Sequence, residues 1–393
     1  MQQTLANNKY RIASLDLLKG IVMVVMALDH VRDYFHAPAF LYDPNDPTLT
    51  SMPIFFTRWI TNFCAPVFCF LAGTSAFLVG MRKSKKELSS FLLKRGAWLV
   101  FIEMTIVNFG WYFDIHFHSP GLLVIWSLGI SMITLAALIH LPQKLIVVLS
   151  LLLIFGHNLL DNVHFPGSYP WAILHEEAMF KYSETFRFYV GYPVVPWIAV
   201  MSLGYCFGSL FEKSFNAAKR KKILFITGFS AITLFIILRG INMYGNPTSW
   251  IQYDTFRQTL ISFLAPAKYP PSLLYLLMTL GPALVFLALT ENVKGWLVSF
   301  FSTFGRVPFF YYILHLYLIH LLALAAAQLT GFGWQIMILP DWIGYVPALK
   351  GYGFPLWVVY TVWVTVILIL YPLCRKFDQY KSSHKEKWWL SYL

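Results

Sequence analysis

Five ionisable side chains crowd the end of the first apolar stretch, in the segment MALDHVRDYFHA. On a helix, Asp29 lies one turn from Arg32 and Asp33, and Asp33 lies one turn from His36. Asp29, His30, Arg32, Asp33 and His36 therefore share or border one stripe. Such a set can hold an imidazole in one tautomer and raise its basicity, as a general base requires. The plainer alternative is a wet helix end whose charges reach solvent. That alternative accounts more easily for Arg32 and Asp33 alone than for all five together.

Further polar groups interrupt later apolar runs, where an ionisable side chain is costly unless it is paired or faces a cavity. Arg58 and Asn62 lie early in the second run, Glu103 and Asn108 in the third, and Arg239 and Asn242 late in the seventh. Arg306, His315 and His320 follow one another along the ninth. Together these residues could line a polar cavity; singly, each could equally be a satisfied contact between helices. His315 and His320 are five apart, a poor spacing for shared metal ligation on a helix, and no metal is expected. His116–His118 and the HEE run at 175–177 carry at most a weak metal signal, and the HEE run could instead touch a polar acceptor. Nucleotide-binding and serine-hydrolase motifs are missing from the sequence.

The elements that must position these groups are set by composition. Only 12% of the 393 residues are charged and 58% are hydrophobic, too few charges to cover a soluble globule of this size. Aromatics reach 18%, as expected where amphipathic rings sit at a membrane boundary. Spanning helices of about 20 residues are expected near 14–35, 53–80, 89–110, 121–140, 144–162, 193–212, 222–243, 272–290, 299–325 and 354–374. The connections alternate between a basic set and a less basic one. The basic set holds Lys9 and Arg11, the 82–95 cluster, Lys213 with Lys219–Lys222, Lys294, and the 375–387 tail. The positive-inside rule then puts both termini in the cytoplasm and explains the net charge of +12 without a nucleic-acid partner. The expected fold is an all-α integral membrane bundle of about ten helices, one domain over 1–393. The stretch 244–271 is expected to be half-buried or re-entrant. The four cysteines form no CxxC pair, and no cleavable signal peptide is expected.

The opening RIASLDLLKGIVMVVMALDHVRDYFH is similar to the first-helix signature of bacterial relatives of heparan-alpha-glucosaminide N-acetyltransferase. Its elements are Ser14-Leu15-Asp16, Lys19-Gly20 and Asp29-His30. TRWITNFCAPVFCFLAGTSAF at 57–77, YPVVPWIAVMSLGYCFG at 192–208 and FGRVPFFYYILHLYLIH at 304–320 resemble the same family in order. The resemblance implies a membrane-embedded acyltransferase. The animal member takes acetyl from cytoplasmic acetyl-CoA and delivers it across the membrane to a terminal glucosamine. It also implies a catalytic histidine just beyond the first span, best matched by His36 in its Tyr34-Phe35-His36-Ala37 setting. A polar residue earlier in that helix, near the acyl group, falls at His30. Lys19 stands where the family usually has arginine. The luminal soluble domain of the animal protein has no counterpart in the sequence, so its glycan specificity does not carry over.

The expected function is transfer of an acetyl or other acyl group from cytoplasmic acetyl-CoA to an amino-sugar or other envelope glycan acceptor at the outer face. His36, oriented by Asp33, would act as general base or acyl carrier, with His30 and Asp29 beside it. Arg58 or Asn62 would stabilise the oxyanion. Arg32, Glu103, Arg239, Arg306 and His315 complete the candidate binding set. The rival reading is a small-solute transporter or exporter, whose charges would lie nearer the bilayer midplane; an assembly protein would leave the Asp29–His36 set without a purpose. A bacterial inner membrane is the expected location, and a homodimer is compatible with the sequence.

Overall fold

The computed structural model describes residues 12–391; the expected inner basic residues Lys9 and Arg11 lie outside the described residues. The helices are α1 (Ala13–Phe35), α2 (Met52–Thr61), α3 (Cys64–Gly80), α4 (Lys85–Ile102), α5 (Asn108–Tyr112), α6 (Val124–Leu138), α7 (Gln143–Gly156), α8 (Tyr169–Leu174), α9 (Val194–Phe207) and α10 (Ala217–Ile241). They continue with α11 (Phe256–Leu264), α12 (Leu273–Thr290), α13 (Trp296–Arg306), α14 (Pro308–Leu329) and α15 (Leu356–Ser383). Each of the ten expected spans coincides with helix. Among the described residues seven stretches are long and apolar enough to cross a membrane: Met52–Gly80, Gln143–Leu160, Val194–Phe211, Ala217–Ile241, Leu273–Thr290, Pro308–Leu329 and Leu356–Ser383. The other three are α1, which carries Asp16, Lys19, Asp29, Arg32 and Asp33, the basic-ended α4, and the short α6.

The chain is not wholly helical. A three-stranded sheet of β1 (Gly121–Leu122), β2 (Ala178–Lys181) and β3 (Arg187–Val190) has the order β1-β3-β2, with β1 parallel and β2 antiparallel to β3. The expected span from 121 therefore begins at Val124. The cause is local: the Asn108 amide donates to the Gly121 carbonyl at 2.9 Å and accepts from the Gly121 N–H at 2.6 Å, imitating a neighbouring strand. Around Asn108 the helix is itself irregular, with a π turn over Glu103–Val107 joining α4 to α5. Helices with such turns are disproportionately found at functional sites. Residues 244–271 contain the short α11 between irregular segments.

Two expected spans are each broken by a proline. Pro66 cannot donate to the carbonyl four residues earlier, and that carbonyl, on Asn62, accepts the Tyr275 hydroxyl at 2.7 Å instead. The break separates α2 from α3. Pro308 likewise bars helical geometry at the residue before it; Val307 sits at φ −131°, ψ 50°, and the expected span 299–325 becomes α13 and α14.

Glycines set the tightest helix pairs. A Cβ at Gly20 would lie 1.8 Å from the Phe301 carbonyl oxygen, and one at Gly305 would lie 2.0 Å from that of Asp16. The α3–α9, α4–α6 and α10–α12 pairs cross the same way at Gly73/Gly204, Gly96/Gly129 and Gly228/Gly281. In a bilayer, backbone approach of this kind replaces the hydrophobic drive that lipid removes. Leu152, Phe229, Ile236, Trp357 and Leu368 point away from the bundle, an outer surface suited to lipid. Gly20 beside Gly305, His30 beside His315 and Tyr34 beside His320 show α1 running parallel to the broken α13–α14 helix.

Candidate active site

The α1–α14 register brings two buried histidines edge to edge. His315 Nδ1 lies 2.9 Å from the Tyr311 carbonyl oxygen, a partner that can only accept. That nitrogen therefore carries the proton, and Nε2 presents its lone pair. His30 Nδ1 lies 2.8 Å from His315 Nε2 and must donate to it. The proton of His30 is thereby assigned to Nδ1, leaving Nε2 as a lone-pair site. The Trp111 ring packs edge-on against His30, with centroids 4.7 Å apart. Tyr34, one turn beyond His30, donates its hydroxyl hydrogen to the Trp111 carbonyl and so ties α5 to α1.

Beside this pair lies a dense set of charges. Arg58 Nη1 sits 2.8 and 3.0 Å from the two Asp29 oxygens. Arg32 Nη2 bonds Asp33 Oδ1 at 2.5 Å and lies 3.2 Å from Asp29 Oδ1. Lys268 Nζ approaches Asp29 at 3.9 Å. Lys268 was not among the sequence candidates: a lone lysine in a proline-flanked connection gave no periodic signal. Its neighbour Tyr269 lies within 3.4 Å of the Tyr192 hydroxyl.

The expected orientation of His36 by Asp33 is not what forms. Asp33 bonds Arg32, and among the described residues no hydrogen bond joins it to the His36 ring. His36 leaves the helix in extended geometry and pairs with Phe354. Burial and the Arg32 guanidinium bring its imidazole down to about 4, so it is neutral at pH 7. Its ring borders a small niche with Arg32, Tyr42, Pro44 and Ile54.

The remaining candidates separate. Glu103 is wholly buried in the π turn and accepts the Trp126 N–H at 2.9 Å. Asn62 lies at the α2–α3 break. Arg239 donates to the Phe263, Thr248 and Ser262 carbonyls, securing the 244–264 segment away from the histidine pair. Arg306 belongs to the α1 N-terminal end, where its Nε bonds Asp378 of α15 at 2.7 Å. His320 faces carbonyls on both nitrogens, Gly110 at 2.9 Å and Met337 at 2.7 Å. The two loop motifs are also engaged locally. His118 pairs with Asp114, His164 with Glu176, and Glu177 accepts from Tyr189 while burial pushes its carboxyl up.

Toward the α1 N-terminal end a second feature appears, a cavity of about 120 Å³. Lys19, Ser75 and Arg95 border it, with Phe68, Phe309 and Met132 supplying apolar wall; Lys19 donates to Ser75 at 3.2 Å. About 16 Å of helix rise, eleven residues, separates Lys19 from His30. In the sequence Arg95 stands only among the basic loop residues at 82–95. Among the described residues no group of three or more His, Cys, Asp or Glu forms a metal-ligand set.

A family model described as heparan-alpha-glucosaminide N-acetyltransferase, catalytic, matches residues 11–244. No curated protein matches the chain.

Proposed function

The chain belongs to the heparan-alpha-glucosaminide N-acetyltransferase catalytic family, and from that premise we propose that it transfers acetyl from acetyl-CoA across the membrane to an amino-sugar or other glycan acceptor, with His30 as the reacting base. The family makes the chain an integral membrane acetyltransferase. The finer reading is ours. One domain of about ten spans has both ends in the cytoplasm, in a bacterial inner membrane, with the α1 N-terminal end inward.

The donor enters the inner cavity. Lys19 and Arg95 attract its phosphates, and the apolar walls accept the pantetheine arm. The thioester then reaches His30 between the helices. Acceptor enters from the opposite end. The His30 Nε2 lone pair takes a proton from the acceptor amine or hydroxyl as that atom attacks the thioester carbonyl. The tetrahedral oxyanion draws on Arg58, already fixed by Asp29. Collapse breaks the C–S bond, and the proton on His30 passes to the departing thiolate. The products are the acetylated acceptor and free CoA. His315 stabilises the transient imidazolium, because its Nε2 accepts from the His30 ring.

The observation that carries this reading is the His30–His315–Tyr311 chain, which fixes the tautomer of His30. The resemblance favours His36 for the same role, but the geometry gives His36 no orienting carboxylate. Acetyl transfer from acetyl-CoA to glucosamine by the detergent-purified protein tests the choice. Loss of turnover in His30→Ala with retention in His36→Ala supports it; the reverse pattern returns the role to His36.

A further inference from the structure

Arg32 is 6% exposed and uses only one of its three nitrogens. Nη2 serves Asp33 and Asp29, while Nε and Nη1 are buried with no hydrogen-bond partner. Unmet donors on a buried cation are expensive. A second observation points the same way. The guanidinium borders the niche shared with His36 and Tyr42, which holds about 10 Å³ and opens at the end of the bundle where α1 finishes. That is room for one water-sized group, an oxygen atom and not a sugar ring. The charges do not balance either: Arg32, Arg58 and Lys268 face the carboxylates of Asp29 and Asp33, an excess of one positive charge when all are ionised.

We propose that this niche receives an oxyanion carried by the acceptor, a carboxylate or phosphoryl group, which identifies the acceptor as an acidic sugar. The proposal rests on the acetyltransferase reading above. One oxygen enters the niche and accepts from the idle Arg32 donors, a charge-assisted contact. The Tyr42 hydroxyl and the neutral His36 ring border the same opening. Arg32 and Arg58 both hold Asp29, so an anion anchored at Arg32 joins the charge cluster that supplies the oxyanion-stabilising Arg58. His36 in this arrangement positions the acceptor.

Two measurements on the full chain in detergent test this. The first is direct binding of inorganic phosphate, with glucose as neutral control, at constant ionic strength. The second is KM for glucosamine against glucosamine 6-phosphate in acetyl transfer. Wild type is expected to bind phosphate saturably and to favour the phosphorylated sugar by about tenfold or more in KM. Both properties should be lost in Arg32→Gln/Asp33→Asn, which preserves charge balance, and in Ala39→Glu, which sets a carboxylate at the niche without touching Arg32. Equal KM values in wild type overturn the acceptor assignment; with phosphate binding retained, they identify the ligand as a free ion. If no sugar is acetylated, the activity reading fails, and phosphate binding still judges the niche. Binding unchanged in both variants overturns the niche.

Discussion

The two ends of the α1–α13–α14 pair are built on opposite principles. At the lower end, Gly20 and Gly305 remove every side chain from the crossing, and the backbones touch. At the upper end, His30, His315, Tyr34 and His320 fill the interval with rings. The Pro308 break separates these regimes, letting α14 continue on a different course from α13. A crossing with no side chains has no rotamers to adjust, so it fixes the register that the histidine pair needs. Within the upper end a second contrast appears. His315 spends one nitrogen on a carbonyl and the other on His30. His320, five residues on, spends both on carbonyls and is stacked by Phe113 at 3.9 Å. In the proposed mechanism the same residue type on the same helix is divided between chemistry and scaffolding by what its second nitrogen meets.

The largest expected effect comes from removing the reacting lone pair. His30→Ala should lower kcat for acetyl transfer by about 10²–10⁴-fold while thermal unfolding in detergent stays near wild type. A variant that loses activity only because it unfolds earlier would erase the contrast between the two ends.

Gly305→Val tests the lower end. Its added carbon meets backbone that cannot give way, and overpacking typically costs about 1–3 kcal/mol or more. Thermal unfolding should shift down, with transfer lost in proportion to folded protein. An unshifted melting temperature would mean that the crossing does not hold the register.

His320→Ala sharpens the comparison between the histidines. An imidazole with one N–H donates to one of the two carbonyls it faces, so one buried carbonyl loses its donor, and interhelical hydrogen bonds in membranes contribute about 0.6–2 kcal/mol. A modest fall in melting temperature with kcat within about threefold is expected. A collapse of kcat at unchanged stability would move His320 into the chemistry.

The smallest effect concerns His36. Its imidazole is held down to about 4 by burial and Arg32, so it is neutral throughout the usual assay range and becomes charged only as pH falls toward that value. Acceptor KM should therefore show no His36-dependent step between about pH 5.5 and 8. A step near 6.5 that vanishes in His36→Gln would contradict the geometry.

Much of this architecture was legible in sequence. The length and hydropathy of the apolar runs placed helix at each expected span, seven of them long and apolar enough to cross a membrane among the described residues, and the Asp29–His36 stripe was visible because α-helical periodicity is local. Some of what sequence missed was also local: the Asn108–Gly121 mimicry of a strand, and the prolines whose freed carbonyls found other donors. The sheet joins β1 to strands more than fifty residues later, beyond any periodic signal.

What the sequence alone determined was a membrane-embedded helical protein, its family, and the groups with the right chemistry. Which of those groups meet was decided only in three dimensions. Arg58 joins Asp29, Lys268 approaches the same Asp29 from a distant loop, and Arg239 and Arg306 leave for separate duties. The reason is physical: helical spacing fixes neighbours along one helix, whereas partners across helices depend on crossing points that glycines and prolines set. The tautomer of His30 follows from a bond to a residue 285 positions away, and no local pattern encodes it.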